Sequence, residues 1–184
     1  MRTMLTTTIG SSSIQYSLRR KLNEIRSSEI KRDVHPTIRR KLKLQGWRMR
    51  TRVAAVYKTG SVAFLTQSGS LPYGRFWRQH LIFQDLEYIK RMMREDKSIT
   101  DREAVLLAID GDIKCYCTCP SFRYFFSYIA WNLGLGIQKE TRFPIIRNPQ
   151  LKGVVCKHLM VVFQELPNWV DTIALRFRKK GVFD

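Results

Sequence analysis

The sequence predicts an α+β protein: an antiparallel strand meander joined to a smaller ββα module, with a basic helical arm before them and a basic tail after. Three observations predict it. Residues 47–83 hold three β-rich runs separated by turn residues, and the first begins as an apolar/polar alternation. On both sides of that stretch apolar residues recur every three or four positions, which is the helical period. Three of the four cysteines fall within "CYCTC" at 115–119, and the fourth stands in "GVVCKHLM", two residues before a histidine.

Taken in order, residues 1–46 form the arm. Its first thirteen residues are rich in Thr, Ser and Gly. Ile14, Leu18, Leu22 and Ile25 then predict a helix with one apolar stripe, whose other faces carry Arg19, Arg20 and Lys21. Asp33 and Pro36 mark the start of a second short helix, with Ile38 and Leu42 one turn apart, Arg39, Arg40 and Lys41 along it, and Gly46 as its stop. Residues 1–52, densely basic with little apolar area of their own, are expected to order only on a partner.

Residues 47–103 come next. Strands are expected at 47–57, 61–67 and 75–83, joined by a Lys58-Thr59-Gly60 turn and by "SGSLPYG". A helix follows over 85–96, with Leu86, Ile89, Met92 and Met93 on one face and Asp85 as its N-cap. In the third region, 104–166, Asp110-Gly111 lies between two β-rich runs and predicts a hairpin whose second strand carries the cysteines. "SFRYFFSYIAWNLG" reads as a helix capped by Ser121 and stopped by Gly134, and "TRFPIIRNPQLKG" as an irregular basic loop. "CKHLMVVFQEL" is expected to be helical as far as Pro167, leaving 167–184 as the basic tail.

Charge narrows the function. The chain has 33 Lys and Arg against 15 Asp and Glu, a formal net charge of +18. That excess repels itself in a compact state unless a polyanion or an acidic partner neutralises it. Thirteen of the cations, Arg48, Arg50 and Arg52 among them, lie between residues 19 and 52, with only three acids. Nucleic acid and large assemblies are the expected partners. No run approaches the ~18 apolar residues of a spanning helix, so no membrane partner is expected. The first 22 residues also lack the apolar core of a secretory signal, so the thiols are expected to be reduced. There is no Gly-rich phosphate loop and no Ser/His/Asp arrangement with suggestive context, and His35 and His80 stand alone. Neither an enzyme nor a small-molecule substrate is expected.

Along a strand, Cys115, Cys117 and Cys119 point to one face, and a helix start at 156–158 can add Cys156 and His158. Thiolates and an imidazole suit Zn²⁺, and four ligands drawn from these five leave no open position for water. Two other readings compete. Disulfides need an oxidising compartment, and neighbouring cysteines of one strand pair poorly. A Cys nucleophile with His158 as base is possible in type, but thiols two residues apart are a metal habit.

"CTCPSF" followed much later by "CKHL" resembles the SWIM-type zinc finger, which pairs Cys-x-Cys with a later Cys-x-His on a ββα scaffold. The resemblance implies Zn²⁺ held by Cys117, Cys119, Cys156 and His158, with Cys115 outside the set. It also implies DNA binding or protein contact rather than catalysis. The long-spacer form, carried here by "RYFFSYIAW" and "RNPQLKGVVCKHL", is similar to proteins of tailed bacteriophage virions. That similarity implies a structural protein of a phage particle, assembled in the host cytoplasm, with other virion proteins and DNA as partners. A nucleic-acid-binding protein acting outside the particle, in recombination, packaging or regulation, is the alternative. Tyr124, Tyr128 and Trp131 recur at i, i+4, i+7 on the aromatic helix and are expected to be buried within the chain or to form a face for another subunit.

Overall fold

A computed structural model of the chain describes residues 49–67 and 76–184. The expected arm, with Arg19, Arg20, Lys21, Arg39, Arg40 and Lys41, lies outside the described residues, as does Arg48. The protein is α+β. Strands β1 (Thr51–Val56), β2 (Ser61–Gln67), β3 (Phe76–Phe83) and β4 (Ile113–Cys117) form one antiparallel sheet in that order.

The pleat of the strands sorts their faces. Val53 and Val56 of β1, Val62, Phe64 and Thr66 of β2, Gln79, Leu81 and Phe83 of β3, and Cys115 and Cys117 of β4 are all buried. The register shifts between Val53 and Ala55, so Ala54 is an extra residue that lets both valines face the core. Gly60 closes the first hairpin at φ +77°, and a Cβ there would collide with Leu86.

Helix α1 (Leu86–Glu95) buries Leu86 and Ile89, as its apolar stripe predicts. Asp85 does not cap it with its side chain: the carboxylate instead accepts the Asp112 backbone N–H at 2.9 Å, tying the start of α1 to the approach to β4. The expected hairpin at Asp110-Gly111 does not form. Residues Asp101–Asp110 are helix α2, started by a Thr100/Glu103 capping box in which Thr100 Oγ1 accepts the Glu103 N–H and Glu103 accepts the Thr100 N–H. Its residues Ala104, Val105, Ala108 and Ile109 are buried at helical spacing, and Gly111 ends it. Strand β4 therefore pairs with β3, from Gln79–Cys117 to Phe83–Ile113, and the regions read separately at 103/104 share one sheet.

The aromatic segment begins with a π-helical turn, Phe122–Phe126, and continues as α3 (Ser127–Asn132). Ser121 does not cap it through its side chain, but Gly134, at φ +77°, ends it as expected. Helix α4 (Lys157–Glu165) packs across all four strands and is followed by a 3₁₀ turn (Leu166–Trp169).

The expected tail is a helix. In α5 (Val170–Lys179), Val170, Ile173, Ala174 and Phe177 are buried at i, i+3, i+4 and i+7, and Val182 beyond it is also buried. Phe177 meets Phe83 edge-on at 6.3 Å and Phe183 at 5.4 Å. Arg176 Nη1 donates to the Val53 carbonyl at 3.1 Å, satisfying an acceptor on the edge strand β1. The basic residues of 167–184 thus occupy the outer side of a core helix, and one apolar cluster runs from Val53 to Val182.

Candidate metal centre

Two short segments build the site. Cys117 ends β4, and Thr118 then locks to β3: its N–H donates to the Arg78 carbonyl at 2.9 Å and its hydroxyl accepts the Arg78 N–H at 3.0 Å. The chain turns there, so Cys119 reaches the same space as Cys117. Across from it, Cys156 sits in extended backbone immediately before α4, and His158 lies in the first turn of that helix. Ligand atoms of Cys117, Cys119, Cys156 and His158 all lie within 4.8 Å of one another, and all four residues are buried. Cys115, although also buried, is not in the group.

The donor set fits a metal ion. Tetrahedral Zn²⁺ wants its sulfur and nitrogen ligand atoms roughly 3.5–3.8 Å apart, given the usual bond lengths. Contraction by about an ångström would bring the cluster to that size. Nδ1 of His158 is 4.0 Å from Cys117 Sγ, while Nε2 is buried with no hydrogen-bond partner among the described residues. The imidazole therefore sits among thiols with one buried nitrogen, Nε2, lacking the partner such an atom normally has.

Electrostatics points the same way. Burial pushes the Cys117 and Cys156 thiols well above their ordinary pKa. Hydrogen bonds from Cys117 and Cys156 pull Cys119 below its ordinary value. The Phe122 backbone N–H also reaches Cys119 Sγ at 3.3 Å. Thiolates in this low-dielectric space require a cation. Cys115 has only burial acting on it, which pushes its pKa up to about 12.

A supporting layer went unread in the sequence. Gln79, fully buried on β3, donates from Nε2 to Cys117 Sγ at 3.5 Å and to the Trp77 carbonyl at 2.9 Å. Its Oε1 accepts the Thr66 hydroxyl at 2.8 Å, and Thr66 pairs with Thr51 at 3.1 Å. This chain of polar side chains crosses three strands and fixes the orientation of one thiol, the role outer-shell groups play around metals. Trp77 closes the other side, its ring 6.2 Å from that of His158. The only hint in the sequence was a glutamine on the inward parity of an apolar strand.

Other candidate residues lie elsewhere. Arg50 and Arg52 are exposed at the start of β1. Tyr124 is exposed, Tyr128 is half-buried with its ring edge-on to Phe143 at 5.4 Å, and Trp131 is 37% exposed. The π-helical turn shifts Tyr124 out of the α-helical phase of the other two. Asn148 pins the loop below them: its amide donates to the Phe125 and Lys152 carbonyls and accepts the Lys152 N–H.

Three thiols and one imidazole between a strand end and a helix start offer the donor set of a structural zinc finger. Residues 103–137 match the family model of the SWIM zinc finger. The matched stretch contains Cys117 and Cys119, and the fold brings Cys156 and His158 to them from outside it. No curated protein matches the chain, and no solved structure does.

Proposed function

We propose that this chain is a non-enzymatic, zinc-braced structural protein of a bacteriophage particle, holding packaged DNA and neighbouring virion subunits through its basic surface. The observation that carries the proposal is the buried Cys117–Cys119–Cys156–His158 cluster joining sheet to helix α4 in a chain of net charge +18. When bound, Zn²⁺ would supply a rigid tetrahedral tie. Four protein ligands fill its shell, so the site suits bracing rather than catalysis. Binding energy in such modules is folding energy, about 10–16 kcal/mol in small zinc domains, comparable with the stability of a whole domain. The phage setting rests on the resemblance of "RYFFSYIAW" and "RNPQLKGVVCKHL" to virion proteins.

Mass spectrometry of purified particles tests the setting, with the chain expected as a stoichiometric component. Elemental analysis of the reduced chain is expected to find about one zinc per chain. A Cys156→Ser, His158→Ala variant is expected to lose the metal and to fail to enter particles. Normal incorporation of that variant would refute the bracing role.

A second reading, a nucleic-acid-binding protein acting outside a particle, is favoured by one feature of the sheet: none of its four strands contains Asp or Glu. Under that reading the purified chain binds naked DNA with a steep salt dependence and is absent from particles.

A further inference from the structure

The sheet has a second face, and the metal centre does not use it. Helix α4 packs on the face bearing Cys117, and α5 meets that face through Phe177 on Phe83. On the opposite face the register sets Arg52 beside Leu65 and Leu65 beside Arg78. The next row sets Ala63 beside His80 and His80 beside Tyr116, and a third sets Ile82 beside Lys114. Two ring contacts confirm the shared face: Tyr57 stacks on His80 at 6.4 Å and 27°, and the Arg52 guanidinium lies 5.6 Å from the centre of the Phe76 ring.

This face carries rings and cations together. Tyr57 and Phe76 are 42% and 40% exposed, enough for a planar ligand to reach them. Burial, and then the neighbouring Arg78 charge, lower the pKa of His80 from its ordinary value. Arg52, Arg78 and Lys114 make no ion pair with any described carboxylate. Positive charge on this face suits an anionic ligand.

We propose that this outer face, built on Tyr57, Phe76 and His80 with Arg52 and Arg78, is a stacking platform for single-stranded nucleic acid. Unpaired bases lie against the rings while the guanidinium groups meet phosphates, the pairing of aromatic and cationic groups that single-strand binders use. A duplex hides its base faces in the stack and offers such a platform only its phosphates. An acidic protein surface would meet the cations but would leave the exposed rings without their flat partners. The inference deepens the nucleic-acid part of the proposed function and rests on it.

The test uses the full chain and fluorescence anisotropy with a labelled oligo(dT) of about 20 nucleotides and a duplex of the same length. Tyr57→Ala and Phe76→Ala are each expected to weaken oligo(dT) binding about tenfold, while duplex binding stays within about twofold. Phe76→Tyr is expected to restore it. Thermal melts of each variant separate a lost platform from a lost fold, and the exposure of both rings makes the fold robust to their removal. Oligo(dT) binding that ignores the loss of both rings overturns the platform and leaves the proposed function standing. Failure to bind either DNA overturns the nucleic-acid reading itself.

Discussion

Replacing Gln79 with methionine isolates the part of the metal centre that only the fold assembles. Methionine keeps the volume of the fully buried side chain but removes three contacts: to Cys117 Sγ, to the Trp77 carbonyl and from the Thr66 hydroxyl. The two contacts to neutral groups contribute about 0.5–1.5 kcal/mol each, so the metal-depleted protein should lose about 2 kcal/mol. For a chain of this size that lowers Tm by about 4–8 °C. The Thr66 hydroxyl keeps Thr51 as a partner, which limits the loss. The contact to Cys117 acts on the metal instead. Losing an outer-shell donor typically weakens a site about 10- to 100-fold, and Gln79→Met is expected to do the same. Competition with a chromophoric zinc chelator measures the affinity, and circular dichroism of the metal-free protein measures the melt. A lowered Tm with unchanged zinc affinity would refute the argument, because Gln79 would then be a core hydrogen bond with no bearing on the thiol.

Three further outcomes are expected. Cys115→Ser should keep about one zinc per chain at a cost of about 1–3 kcal/mol for a buried hydroxyl, while Cys119→Ser should lose the metal; elemental analysis decides, and the reverse result would move the ligand set by two residues. Phe177→Ala should destabilise the protein by about 3–5 kcal/mol in urea titration, and a negligible change would restore residues 167–184 to the status of a tail. Glu140 is held at about 2 by hydrogen bonds from Arg142. Its depressed folded-state value gives a stabilisation that is present above the ordinary carboxyl range, near 4.3, and lost as pH falls through about 2. Arg142→Ala should return the carboxyl toward its ordinary value in an NMR titration, and an unmoved pKa would sink the pairing.

Local physics was enough for part of this protein. The β-rich runs at 61–67 and 75–83, bounded by turn residues, specify strands, found at Ser61–Gln67 and Phe76–Phe83, because β-branched and aromatic side chains fit a pleated surface. The Lys58-Thr59-Gly60 turn, the α1 stripe and the stop at Gly134 are local in the same sense. So is the chemistry of the ligand types, since Cys-x-Cys and Cys-x-His name soft donors before any fold exists. Two features were present in the sequence but outweighed there. "TDRE" at 100–103 spells the capping box of α2, but Asp110-Gly111 between apolar runs is an equally local hairpin signal. Val170, Ile173, Ala174 and Phe177 have helical spacing, but the neighbouring cations concealed it.

Only tertiary structure could decide the rest. Short apolar runs such as "AVLLAI" fit a buried strand or a buried helix equally well, and the capped end together with packing against α5 selects the helix. With α2 a helix, β4 has no adjacent partner and must pair with β3, 30 residues back, which brings Gln79 to Cys117. The same pairing completes a sheet with one face closed by α4 and α5 and the other carrying Tyr57, Phe76 and His80. Hydrogen bonding between strands acts across any sequence separation, so spacing along the chain can name the ligands but not the strand that positions them.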